Sequence, residues 1–124
     1  MNEFTSTSYA RLKRVSPELV LGDIKPFLFS DEEILSVYKG AREFCIFTER
    51  RILTINIPGI AGKRRSVAIL PYGKIVAYTV ATTGNLDSDG ELCLLFQELG
   101  AVKFEFTGPN DIMEISEMIS AHIM

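Results

Sequence analysis

The feature that most constrains the fold of this sequence is a long block of period-two alternation followed by a helical repeat. From about Leu35 to Thr107, β-branched and aromatic residues alternate with polar ones, and glycine, proline or asparagine interrupts them at regular intervals. Such alternation predicts strands with one face toward a core, because successive side chains of a strand point to opposite faces. Short connections such as Gly40-Ala41 predict antiparallel pairing between neighbouring strands.

The positions of the turns divide this block into seven predicted strands. The last strand is the clearest, because Val102, Phe104 and Phe106 alternate with Lys103 and Glu105. The seven strands are approximately Ile34–Lys39, Glu43–Thr48, Arg51–Ile57, Arg65–Leu70, Lys74–Ala81, Glu91–Gln97 and Ala101–Thr107.

An amphipathic helix is predicted after Pro109. Ile112, Ile115, Ile119 and Ile123 recur at spacings of three and four, with methionines beside them. We expect this stripe to pack on the sheet; a groove for a partner is the alternative.

Residues 1–30 are predicted to form a helical lead, and residues 31–124 the main unit. Ser16-Pro17-Glu18 has the form of a helix start, with a capping serine and a proline at the first helical position. Tyr9, Leu12 and Val15 are spaced three residues apart, which also fits one face of a helix.

Composition narrows the class of protein. A net charge of −3 and a pI of about 5.2 argue against nucleic-acid binding, which normally requires a strongly basic surface. The N-terminal stretch has no apolar signal core, and no apolar run approaches the ~20 residues that span a bilayer, so we expect a cytoplasmic protein. Cys45 and Cys93 lie in apolar stretches and are expected to be buried thiols, with no metal or cofactor.

Five short motifs follow one another between Tyr38 and Leu94, at spacings that fit the predicted strands. They are Tyr38-x-Gly40-x-Arg42, Phe47-Thr48-x-x-Arg51, Gly59-x-x-Gly62-Lys63, Leu70-Pro71-Tyr72-x-x-Ile75 and Thr83-Gly84-x-x-Asp87-x-Asp89-x-Glu91-Leu92. With these motifs in this order, the stretch resembles the bacterial pleckstrin-homology (PH) domain family.

The resemblance implies a non-enzymatic barrel of seven antiparallel strands capped by the C-terminal helix. It also implies a cyclic homo-oligomer, to which the N-terminal lead contributes contacts. It supplies no catalytic residue. It does not imply phosphoinositide binding, because the loop that carries basic residues in lipid-binding members is here only Gly40-Ala41, followed by Arg42.

Two surfaces are candidates for binding. The first strand is long and carries little charge, so Ile34, Leu35, Val37 and Tyr38 are a candidate edge for self-assembly. The alternative is that the N-terminal segment covers this edge within one chain. The second candidate is a site for anions or a membrane surface, and it consists of Arg50, Arg51, Lys63, Arg64 and Arg65. The alternative is that these cations bind nothing and are solvated charges that protect the strand edges.

Enzymatic and calcium-binding functions are not expected. The single histidine, His122, is close to the C-terminus on the predicted amphipathic helix, which is a poor position for a catalytic base. Asn85-x-Asp87-x-Asp89-Gly90 matches half of a calcium loop, but Phe96 occupies the position that requires a bidentate glutamate. We therefore predict a non-catalytic module that binds a protein or peptide partner and itself, with anionic-ligand binding as the alternative.

Overall fold

The computed structural model describes residues 7–57, 66–82 and 89–123, which form eight β-strands and two α-helices. The strands are β1 (Thr7–Val15), β2 (Ile34–Lys39), β3 (Glu43–Thr48), β4 (Arg51–Asn56), β5 (Val67–Pro71), β6 (Ile75–Thr82), β7 (Gly90–Phe96) and β8 (Gly100–Phe106). The helices are α1 (Leu21–Ile24) and α2 (Ile112–Ile123), and 3₁₀ turns cover Pro17–Leu19, Lys25–Phe27 and Tyr72–Lys74.

The eight strands form one curled sheet in the order β5-β4-β3-β2-β1-β8-β7-β6. Neighbouring strands pair antiparallel, except that β1 and β8 run parallel. The prediction of a mainly β sheet with a C-terminal helix is confirmed. The prediction of seven antiparallel strands is wrong, because the N-terminal segment adds an eighth strand and makes the sheet mixed.

The strand that the sequence analysis missed, β1, has a helix-like spacing because a bulge interrupts it. Tyr9 pairs with Phe104 and Leu12 pairs with Phe106, so three steps along β1 match two steps along β8. At the bulge, Arg11 has a φ of 56°, a backbone conformation that is uncommon outside glycine. The extra residue returns Tyr9 and Leu12 to the same buried face. The predicted helix over this segment is therefore a bulged strand.

The rest of the N-terminal lead forms short helices, as predicted. The side chain of Ser16 accepts a hydrogen bond from the backbone N–H of Glu18 at 3.3 Å, and Pro17 begins the first 3₁₀ turn. From this segment Val20 and Ile24 are buried against the sheet. The lead therefore covers one face of β2, β3 and β4.

The middle of the sheet is buried on both faces. One face carries the larger core, where the rings of Tyr38, Phe47 and Phe106 meet at centroid distances of 4.7 to 6.0 Å. The opposite face packs against the lead through residues such as Ile46 and Leu53. Strands buried on both faces have nearly continuous apolar runs, which explains the apolar sequence of β3.

Helix α2 packs across the turn at Tyr72–Lys74 and against β6 and β7. Ile112, Ile115 and Ile119 are buried, as their spacing predicts, whereas Met113 is 52% exposed. The stripe is therefore mainly a core face. In the described part of the chain, neither helix is long and apolar enough to span a bilayer.

The start of α2 is connected to β1 and β2. The backbone N–H of Asp111 donates to the hydroxyl of Tyr38 at 2.7 Å, and its carboxylate pairs with Arg14 at 2.5 Å. Burial, together with the charge of Asp111, raises the pKa of Tyr38 to about 12. The phenol therefore stays neutral next to the carboxylate of Asp111.

The candidate edge at β2 is not open along its whole length. Val37 and Tyr38 pair with β1 on one side and with β3 on the other. The expectation of an open edge is therefore wrong at these two residues, because the N-terminal segment folds back over them within the same chain. Ile34 and Leu35 lie beyond the pairing with β1 and are half-buried.

The position of Leu12 in the core gives a test of the eighth strand. Leu12 is 1% exposed whereas Leu19, in the lead, is 59% exposed. We expect Leu12→Ala to lower the free energy of unfolding by about 2 to 5 kcal/mol, because it removes buried methyl groups and leaves a cavity.

The matched control is Leu19→Ala, which should change the free energy by less than about 1 kcal/mol. Urea denaturation followed by circular dichroism measures both variants. Equal small losses would show that β1 is not part of the cooperative fold.

Candidate functional site

Two of the candidate anion-binding residues, Arg50 and Arg51, lie where β3 turns into β4 and form internal ion pairs. The guanidinium of Arg51 binds the carboxylate of Glu32 through two hydrogen bonds of 3.0 and 2.9 Å. Arg50 pairs with Asp31 at 2.9 Å. The Arg51 pair is buried, whereas the Arg50 pair lies at the surface, so only the charge of Arg51 is withdrawn from solvent by its partner.

Glu32 is fully enclosed by hydrogen-bond donors. Besides Arg51, the hydroxyl of Thr48 donates to it at 2.7 Å and the backbone N–H of Phe29 at 3.1 Å. Burial by itself raises the pKa of Glu32, but the bonds from Arg51, Thr48 and Phe29 outweigh burial and lower it to about 2. The carboxylate is therefore ionised at all ordinary pH values and fixes the guanidinium beside it.

These contacts attach the lead to the β3–β4 turn. Arg51 also donates to the backbone carbonyl of Phe27 at 2.5 Å. The guanidinium carbons of Arg50 and Arg51 each lie 4.9 Å from the centroid of the Phe29 ring. Phe29 is nevertheless 55% exposed. We name the group of Glu32, Thr48, Arg51 and Phe29 the lead latch, and its function in the molecule is structural.

The remaining residues of the candidate anion site, Lys63, Arg64 and Arg65, lie outside the described residues. Asn85 and Asp87 of the half calcium motif are also outside them, while Asp89 accepts a hydrogen bond from the backbone N–H of Gly108 at 2.9 Å. Across residues 7–57, 66–82 and 89–123, no group of three or more metal-ligating side chains is arranged to hold a metal ion.

His122 and the cysteines have structural surroundings. The ring of His122 packs against Tyr72 at 5.3 Å, and its Nδ1 lies 2.8 Å from the carbonyl oxygen of Met118. Cys45 is buried as expected, and burial raises the pKa of its thiol. Cys93 is only half-buried, because it lies on the outer face of β7. None of these groups forms a catalytic arrangement with its described neighbours.

The surface that the sequence analysis missed consists of the two outer strands of the sheet. β5 and β6 each have one strand neighbour among the described residues. Neither Val67–Pro71 nor Ile75–Thr82 contains a charged residue. Three large apolar side chains on or next to these strands, Ile69, Val76 and Leu95, are 43 to 52% exposed. The uncharged runs were visible in the sequence, but their position at the edges depends on the order of strands.

The lead latch predicts a dependence of stability on pH. A carboxyl whose pKa falls from 4.5 to about 2 on folding stabilises the protein above pH 4.5, and that contribution disappears as the pH falls toward 2. We expect Glu32→Gln to lower the free energy of unfolding by about 2 to 3 kcal/mol at pH 7, and by much less near pH 2.

Urea denaturation at several pH values measures this effect, and Glu33→Gln, at an exposed neighbouring carboxylate, is the control. The account of the latch is contradicted if both variants lose the same stability, or if the loss in Glu32→Gln is independent of pH.

Comparison with known proteins agrees with the geometry. The chain is 29% identical over 112 residues to the uncharacterized protein YjqA of Bacillus subtilis (strain 168), covering 89% of this chain and 90% of that protein. Among solved structures, it is similar to a DUF1696 family protein with a pleckstrin-homology domain from Shewanella loihica PV-4. That similarity has a TM-score of 0.71 and 24% identity, and it covers 93% of this chain and 99% of the other.

A second solved structure is the pleckstrin-homology domain from Shewanella amazonensis SB2B, with a TM-score of 0.59 and 29% identity. The matched region covers 89% of this chain and 90% of the Shewanella amazonensis domain. The family model described as the bacterial PH domain matches residues 3–123. The chain therefore belongs to the bacterial PH domain family.

Proposed function

We propose that this protein is a non-catalytic scaffolding module that assembles with copies of itself through the outer strands β5 and β6. The observation that carries the proposal is the absence of charge along both strands, Val67–Pro71 and Ile75–Thr82. A protein or peptide partner would then bind to the assembled form.

An open edge strand presents unpaired backbone N–H and C=O groups that can pair with another chain. Monomeric proteins usually protect such edges with charged side chains, proline, bulges or short strands. β5 has two of these protections, because it is five residues long and ends in Pro71. β6 is eight residues long, with its irregularity confined to the first residues, between Ile75 and Ala77. β6 is therefore the stronger candidate for pairing.

The side chains of β6 support the same surface. Ala77, Thr79 and Ala81 are exposed and small, so they allow another strand to approach closely. Val76 is 52% exposed and lies at the same end of the sheet as Leu95, which is opposite Ala77 on β7. Removing this apolar area from water would add to the backbone hydrogen bonds of a new strand pair.

The two edges differ, and that difference bears on symmetry. Pairing of β6 with β5 of the next copy uses one edge of each kind per subunit, and such a head-to-tail contact closes into a ring when the rotation permits. Pairing of β6 with β6 would stop at a dimer and leave β5 open. We therefore propose a closed ring built by pairing β6 of each copy with β5 of the next. A cyclic homo-oligomer is also what the resemblance to the family implies.

The proposal predicts the mass of the protein in solution. Light scattering coupled to size-exclusion chromatography should give a fixed multiple of 13.8 kDa greater than two, at concentrations that differ about tenfold. We expect the double variant Val76→Lys/Thr79→Lys to elute as a monomer, because lysines on an edge strand must lose hydration when another strand pairs there.

The control is Ser8→Lys/Met113→Lys, which adds the same two charges at exposed positions away from both edges. It should assemble like the unmodified protein. A monomer at both concentrations, a dimer, or assembly that survives the β6 variant would each contradict the proposal.

A further inference from the structure

A cleft of about 230 Å³ opens between the start of β1 and strands β3, β4 and β5. A second cleft of about 190 Å³ lies beside it and shares two of its residues, Tyr9 and Glu43. The larger cleft is lined by Thr7, Tyr9, Glu43, Thr54, Asn56, Ser66 and Ala68.

Glu43 is an unusual first residue for β3. It alternates in step with Cys45 and Phe47, both of which belong to the larger core, so it falls on the core face of the strand. Its side chain is half-buried and has no ion pair or hydrogen bond with the residues that the structure describes. Burial raises the pKa of Glu43 above 4.5, and the nearby Arg42 partly offsets that rise.

The walls of the cleft are fixed by other contacts. The hydroxyl of Tyr9 donates to that of Thr54 at 3.4 Å, and its ring stacks on Phe104 with centroids 5.2 Å apart. The side-chain oxygen of Asn56 accepts a hydrogen bond from the backbone N–H of Ser66 at 2.6 Å. These contacts hold the surroundings of Glu43 in place.

The chemistry of the lining selects a kind of ligand. Among the lining residues that the structure describes, Glu43 is the one with a formal charge, and the other polar groups are hydroxyls and an amide. A carboxylate in a partly dehydrated site gains most from a donor that carries a positive charge. The volume suits the end of one side chain and is smaller than the 300 Å³ or more of typical drug-sized pockets.

We infer that this cleft binds the cationic end of an arginine or lysine side chain from a basic peptide, with Glu43 as its counter-ion. The hydroxyls beside Glu43 accept the remaining N–H groups of the ligand. Arg42 lines only the smaller cleft, so a basic residue reaches Glu43 through the larger one. This site is separate from β6, and its test therefore does not depend on whether the protein assembles.

The test uses the full chain and two short peptides that differ only in charge, acetyl-Gly-Arg-Gly-amide and acetyl-Gly-citrulline-Gly-amide. Two-dimensional amide NMR should show saturable shifts at residues of β3 and β4 around Glu43 with the arginine peptide. The citrulline peptide should bind at least about tenfold more weakly, because it lacks the charge-assisted hydrogen bonds to the carboxylate. Agmatine, a free guanidinium compound, distinguishes recognition of the cation alone from recognition of a peptide.

Glu43→Gln keeps the shape of the side chain and should lose binding of the arginine peptide by about tenfold or more. Glu114→Gln, at an exposed position on α2, is the charge-matched control and should bind normally. Binding should also weaken as the pH falls, because burial raises the pKa of Glu43 and so favours its protonation, while arginine stays charged.

Equal binding of the two peptides, unchanged binding by Glu43→Gln, or binding of agmatine but not of the peptide would overturn the inference. If Glu43→Gln failed to fold, the comparison of the arginine and citrulline peptides on the unmodified protein would still decide it.

Discussion

The pairing of β1 with both β2 and β8 is the constraint on which the rest of this structure depends. Without β1, the β2–β5 meander and the β6–β8 meander would be two sheets with four open edges, and backbone groups on strands β2 and β8 would lack partners. With β1, the described strands form one continuous sheet, and β5 and β6 are the strands at its two ends. The location of the open edges, and therefore of the proposed assembly surface, follows from the N-terminal strand.

The distribution of charge is a second consequence of this arrangement. The lead that follows β1 returns across the sheet, and the lead latch holds its end there, because Arg51 donates to the carbonyl of Phe27 and Glu32 accepts from the N–H of Phe29. Arg51, one of the five residues that the sequence analysis assigned to anion binding, is thus used to fix the lead. The strand edge proposed for assembly carries no charge, and the described lining of the cleft proposed for peptide binding carries one carboxylate, Glu43.

Much of the fold could be predicted from the sequence, because the strands from β2 to β8 and helix α2 have clear periodicities. β1 could not, since its bulge at Arg11 changes a spacing of two into a spacing of three. The error at the β2 edge followed from that omission. Arg51 and Glu32 are nineteen residues apart, and a contact at that separation leaves no local pattern in the sequence. The assignment of Arg51 to an anion site could therefore not be corrected from the sequence alone.

The most direct test of the account is amide hydrogen exchange, measured by mass spectrometry, over β6 and over the interior strand β3. The account predicts that β6 exchanges more slowly in the assembled protein than in the Val76→Lys/Thr79→Lys variant, because its outward amides bond to another copy. Exchange over β3 should be equal in both proteins, since its two strand neighbours belong to the same chain. Equal exchange over β6 in the two proteins would contradict the claim that β6 is the assembly edge.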